Sequence, residues 1–206
     1  MTVLALLRHA ETSWSGAGRL QGRTDIPLSE AGRQTLAHQC IPPIWSHLQV
    51  VSSPLVRCTQ TAYGLALPDV RIEPRITEMS WGDWEGQTLA VLRTPPGDAM
   101  RDNEARGFDF QPPGGESPRA VLARVQPWLA ELGSQARDTL AISHRGVIRV
   151  VFAQAVGWDM RGKPPAKLDW SCLHLFELDV AGHARVLHLN LPLDATPEPT
   201  AIGIGT

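Results

Sequence analysis

The 206-residue sequence predicts an α/β protein, a three-layer α/β/α sandwich with a mostly parallel central sheet and a C-terminal antiparallel hairpin. Three observations predict it. Short apolar runs at Val3–Leu7, Leu48–Val51 and Leu140–Ile142 suit strands buried on both faces, as in a parallel sheet. Helix-start signals follow these runs. Near the C-terminus the pattern changes to alternation of period two, in C-L-H-L-F-E-L-D and R-V-L-H-L-N-L around Ala181-Gly182, which reads as a hairpin at a sheet edge.

The first strand, V-L-A-L-L, stops abruptly at Arg8, His9, Glu11 and Thr12. Ser13–Asp25, with Gly16, Gly18 and Gly22, reads as an irregular loop whose glycines let backbone approach a ligand. A helix capped by Ser29 with Glu30 in its first turn then runs toward Pro42-Pro43. After the second strand, Ser53 as N-cap and Pro54 at the first helical position start a helix that carries Arg57. A short strand at Val70–Ile72 leads to T-E-M-S-W-G-D-W-E-G, which gathers Glu78, Asp83 and Glu85 among two tryptophans. Ser117-Pro118 restarts helix, with Val121, Leu122, Val125, Trp128, Leu129 and Leu132 on one apolar face and a kink expected at Pro127. The third strand ends in S-H-R-G, repeating the histidine-beside-arginine arrangement of the first, and Gly146 opens the next helix. His174, His183 and His188 in the hairpin read as structural or exposed. One domain is expected over 1–192, with a short lid-like insertion at about 93–115, rich in proline, glycine and charge, and a loose tail over 193–206.

The totals exclude several classes. A net charge of −2 gives no overall pull toward nucleic acid or acidic membranes, so neither is expected as a partner. No run of 18 apolar residues suggests a membrane span, and the N-terminal apolar run is too short for a signal-peptide core. Cys40, Cys58 and Cys172 form no C-x-x-C pair, so a reducing cytoplasm is the expected location. Zinc-site spacing, a G-x-x-x-x-G-K-[ST] loop and a G-x-G-x-x-G fingerprint are absent, and no metal or cofactor is expected. A homodimer is compatible with the chain and nothing in it requires one.

In a parallel sheet with right-handed crossovers the three strand ends share one edge, where Arg8, His9, Arg57 and His144 can converge. Two arginines and two histidines make a local positive pocket, and phosphate suits it because the planar guanidinium fork binds phosphate oxygens in pairs. A neutral imidazole can attack phosphorus to form phosphohistidine, splitting one hard displacement into two easier ones. The leaving alkoxide needs a proton, and Glu78, among aromatic rings that disfavour its charged form, is the best-placed acid. The partner expected is a small phosphorylated metabolite.

The segments L-L-R-H-A-E-T-S-W, G-R-L-Q-G, D-I-P-L-S-E-A-G, S-S-P-L-V-R-C-T-Q-T-A, E-M-S-W-G-D-W-E-G, G-G-E-S and S-H-R-G-V-I-R stand in an order that resembles the histidine phosphatase superfamily, also called phosphoglycerate-mutase-like, from about Val3 to Arg149. The resemblance implies that His9 is the phosphorylated nucleophile, that Arg8, Arg57 and His144 bind the transferring phosphoryl group, and that Glu78 donates the proton. It also puts Ser15, Gln21 and Gly22 beside the phosphate. The chain departs from the family pattern at Ala10 (usually glycine), Ser15 (usually asparagine), Cys58 (commonly alanine) and Arg145 (usually small or neutral). E-M-S-W-G-D-W-E-G and the short insertion look more like the small bacterial phosphatases, α-ribazole phosphatase among them, than like phosphoglycerate mutases with their E-R-H-Y-G-type segment. Hydrolysis is therefore expected, with mutase activity or a non-catalytic phosphate-binding module as alternatives. Trp14, Trp81 and Trp84 are expected near the pocket mouth, and Arg93, Arg101 and Arg106 in the insertion.

Overall fold

The computed structural model describes residues 2–94 and 98–195. In chain order the first elements are β1 (Thr2–Arg8), α1 (Ser13–Gly16), α2 (Glu30–Ala37), β2 (Gln39–Cys40), β3 (Gln49–Ser52), α3 (Val56–Gly64) and β4 (Arg71–Ile72). Then follow α4 (Leu89–Leu92), α5 (Asp98–Glu104), α6 (Pro118–Ser134), β5 (Thr139–Ser143), α7 (Arg145–Val156), β6 (Leu173–Leu178), β7 (Ala184–Leu191) and β8 (Asp194–Ala195). Among the described residues the main sheet has six strands in the order β4-β3-β5-β1-β6-β7. β4, β3, β5 and β1 pair in parallel, while β6 and β7 are antiparallel. The mostly parallel sheet with its C-terminal hairpin is the predicted architecture.

The apolar runs are continuous because each strand serves two cores. Leu4 and Leu6 join the core formed with α6 and α7, including Val125, Leu129, Ile148 and Phe152. Ala5 and Leu7 join the opposite core with Leu36 of α2 and Cys58 and Ala62 of α3. Alternate side chains point to opposite faces of a strand, so a helix layer on both faces demands apolar residues at every position. Truncating a buried leucine such as Leu6 to alanine costs about 2–5 kcal/mol. α6 runs through Pro127 without interruption, and its apolar face is core as predicted.

Four elements differ from the sequence reading. α3 starts after Leu55, two residues beyond the Ser53-Pro54 signal. The Ser53 hydroxyl instead lies 2.7 Å from His144 Nε2, and Asp25 Oδ1 accepts from Val56 N–H at 2.8 Å, capping the helix from another loop. α2 ends at Ala37, and Gln39–Cys40 turn into a strand that pairs with β8 at Asp194–Ala195. The later tail lies outside the described residues. Within the glycine-rich loop, Thr12 and Ser15 form a reciprocal capping box that nucleates α1. The helix α4 precedes the insertion, whose described part holds α5 and a 3-10 turn at Gly107–Asp109, with Met100 and Phe110 buried against the α6 core. His174 is buried, whereas His183 and His188 are exposed.

Candidate active site

β3, β5 and β1 are neighbours, so their carboxyl ends bring their following residues to one place. His9 leaves β1 with its N–H donating to Ser143 O at 3.0 Å. Its Nδ1 lies 2.7 Å from Ala10 O. A carbonyl can only accept, so Nδ1 carries the proton and Nε2 keeps its lone pair. Burial, reinforced by the Arg8 and Arg57 charges, holds His9 well below the ordinary imidazole pKa. The neutral ring is therefore the resting form.

His144 is the N-cap of α7, its ring centroid 5.3 Å from that of His9. Burial first, then His9 and the two arginines, keeps it neutral as well. Its Nε2 contacts Ser53 Oγ and, at 3.3 Å, Cys58 Sγ. Arg57 is fully buried in the first turn of α3, donating through Nη1 to Thr24 O at 3.0 Å and through Nη2 to Gly22 O at 2.8 Å. Arg8 and Arg57 each keep a buried Nε without a protein acceptor. Such orphaned donors are costly inside a protein and suit an anion that supplies oxygens.

Glu78 follows β4 and a 3-10 turn at Pro74–Ile76 that Ser143 Oγ ties to the sheet through Ile76 O. Its Oε1 accepts from Met79 N–H at 2.8 Å and Gly146 N–H at 3.0 Å. Burial raises its pKa, and the opposing pull of these N–H groups and of Arg57 and Arg8 does not cancel the rise. A methyl group on Gly146 would lie 2.4 Å from Glu78 Oε1, so glycine is needed for this approach. The two indoles expected around Glu78 instead meet Phe110, at 5.5 Å for Trp81 and 5.9 Å for Trp84, and Trp14 packs over Gly86.

Thus Arg8, His9, Arg57, Glu78 and His144 come together. The other three expected residues have scaffold contacts. Ser15 Oγ is engaged by Thr12. Gln21 Nε2 donates to Thr12 Oγ1 at 2.5 Å. Gly22 supplies the carbonyl that holds Arg57, and a methyl group there would fall 1.9 Å from Glu85 Oε1. Three supporting residues were missed by sequence reasoning. Ser53 holds His144, and Thr61 Oγ1 accepts from Ala10 N–H at 2.9 Å. Glu85 binds Arg23 N–H, Thr24 N–H and Trp81 N–H, fixing the loop that grips Arg57. Burial would raise the Glu85 pKa, but these bonds and the Thr24 hydroxyl hold it below the usual carboxylate range. Ala10 has no positive φ, so the turn after the nucleophile strand does not require glycine. In the insertion, Arg93 pairs with Glu104 and Arg106 with Asn103. A cavity of about 390 Å³ opens beside Arg8 and His9, lined also by Glu11, Ser15 and Trp170. No group of three or more metal-ligating side chains is found among the described residues.

A positive site holding two neutral imidazoles and a carboxyl whose pKa burial raises suits an enzyme that transfers an anionic group such as phosphoryl. Residues 4–191 match the histidine phosphatase superfamily, branch 1, and the chain belongs to that superfamily. It is 34% identical over 168 residues to phosphoserine phosphatase 1 of Hydrogenobacter thermophilus, covering 78% of this chain and 79% of the relative. Identity is 36% over 205 residues to glucosyl-3-phosphoglycerate phosphatase of Mycolicibacterium vanbaalenii, covering 88% and 85%. The fold is also that of a proposed α-ribazole-5'-P phosphatase of Escherichia coli K-12, with a TM-score of 0.73, 24% identity, and 95% and 99% of the two chains covered. The protein is a phosphatase of this superfamily. No helix among the described residues is long and apolar enough to cross a membrane.

Proposed function

We propose that the protein hydrolyses phosphomonoesters of a small metabolite without a metal, through a phosphohistidine at His9. The hydrogen bond from His9 Nδ1 to Ala10 O carries this reading, because it commits Nε2 to the free lone pair. Nε2 attacks phosphorus as the ester P–O bond breaks, and Glu78 gives its proton to the departing alkoxide. The Glu78 carboxylate then takes a proton from water as that water attacks the phosphohistidine, releasing phosphate and restoring both groups. Arg8, Arg57 and His144 hold the phosphoryl oxygens throughout. Three free thiols support a reducing, cytoplasmic setting.

Brief incubation with ³²P-labelled phosphomonoester followed by quenching should leave acid-labile label on wild-type protein and none on His9→Ala. Full activity in His9→Ala would remove the phosphohistidine mechanism. Phosphoserine and glucosyl-3-phosphoglycerate, the substrates named for the relatives, head the panel of esters to assay, alongside α-ribazole phosphate, phosphosugars and nucleotides.

A further inference from the structure

Arg145 directly follows His144, and its guanidinium carbon lies 4.9 Å from the centre of the Trp170 ring. Trp170 is held in turn by the buried His174 ring, edge-on at 6.3 Å and 70°, and it lines the cavity that opens onto Arg8 and His9. Stacking on an indole presents a guanidinium edge, with its paired N–H donors, to whatever occupies the adjoining space. Among the described residues no carboxylate lies within ion-pair distance of Arg145. The nearby acids are already engaged: Asp169 accepts from Ser171 N–H and Oγ, and Glu11 accepts from Ser29 Oγ. The next residue, Gly146, donates its N–H to Glu78 Oε1 at 3.0 Å, which sets the Arg145 backbone beside the acid that would meet the leaving alcohol. Arg149 provides an internal comparison: it stacks on Trp158 at 5.3 Å, and Trp158, unlike Trp170, does not line that cavity.

We infer that Arg145, oriented by Trp170, is a specificity-determining residue that binds a second anionic group, a carboxylate or another phosphate, on the alcohol portion of the substrate. The inference rests on the phosphomonoesterase reading above. It separates two tasks: Arg8 and Arg57 take the group that is transferred, and Arg145 selects what that group leaves behind.

The test compares 3-phosphoglycerate with glycerol 3-phosphate, which differ in the carboxylate, and adds fructose 1,6-bisphosphate against fructose 6-phosphate to separate carboxylate from phosphate. Wild type should favour the member with a second anionic group in at least one pair in kcat/KM by roughly 10- to 100-fold, the worth of a charge-assisted bidentate contact. Arg145→Ala should abolish that preference while leaving turnover of the ester that carries only the transferred phosphate within about threefold, a bound set well below that contact's worth. Arg145→Lys should retain part of it, Trp170→Ala should weaken it, and Arg149→Ala should leave it intact. Equal losses on both members of a pair in Arg145→Ala, or no preference in wild type, would overturn the inference. Dissociation constants for the same pairs measured on His9→Ala need no turnover. A preference there that vanishes on adding Arg145→Ala, without hydrolysis by wild type, would keep this inference and remove the hydrolase reading; hydrolysis without any preference would do the reverse.

Discussion

Gly146 and Glu78 show how closely the acid is fitted to its place. With a methyl group only 2.4 Å from Glu78 Oε1, Gly146→Ala should displace the carboxyl and lower kcat on alkyl phosphates by about 10- to 100-fold, within the usual worth of a general acid. Near-wild-type kcat in Gly146→Ala would separate this contact from catalysis. Glu78→Gln should slow alkyl phosphates far more than p-nitrophenyl phosphate, whose leaving group needs little protonation. The pH dependence follows from two shifts of opposite direction. Burial raises Glu78, so the acid stays protonated above the ordinary carboxyl range, and activity falls as pH rises through that raised value. Burial and the arginines lower His9, so the nucleophile stays neutral well below pH 6.5, and activity is lost only as pH falls through the lowered value. A kcat profile on an alkyl phosphate should therefore lose its alkaline limb in Glu78→Gln. The five convergent residues were legible because arginine, histidine and glutamate at strand ends carry chemistry in their type alone. Ser53, Thr61 and Glu85 were not, since a hydroxyl or carboxylate in a loop gains its role only from partners that the tertiary structure brings.

At the level of elements, the grip on Arg57 depends on a loop and a helix start that are remote in sequence. Asp25 caps α3 through Val56 N–H, and Glu85 fixes residues 23 and 24 beside the two carbonyls that receive the guanidinium. Asp25→Ala should cost about 1 kcal/mol of stability, the typical worth of a helix cap, and raise KM for phosphomonoesters more than it lowers kcat. An unchanged KM would show that the cap acts on stability alone. The strands, α6, α7 and the hairpin could be read because each is specified by its own apolar periodicity. The start of α3 could not, because Ser53-Pro54 satisfies every local rule for a helix start while the serine hydroxyl is claimed by His144 across the sheet. The helical turns within the insertion escaped for a related reason: proline, glycine and charge dominate its composition, and its two anchors, Met100 and Phe110, become informative only once they are seen in the α6 core.

For the whole molecule, three buried histidines set the acid limit of stability. His9 and His144 are held well below the ordinary value, and burial also lowers His174. The unfolded chain binds protons at these side chains below about pH 6.5 while the folded protein does not, so stability is present above that pH and is lost as pH falls toward the folded values. Glu78 opposes this, since its raised pKa stabilises the folded state increasingly as pH falls toward the ordinary carboxyl range. Three groups against one favour a net loss, and the melting temperature should fall between pH 7.5 and 5.0. A flat profile in Glu78→Gln, where the opposing carboxyl is gone, would mean that these histidines take up protons in the folded protein. The position of β1 bears on a different property. It is bonded along both edges, to β5 and β6, and the register continues through the His9 amide to Ser143. In deuterium exchange that amide should rank with the slowest in the chain, opening only when the entire sheet does. Local fluctuations at the periphery can then admit and release ligand without the attacking nitrogen losing its aim.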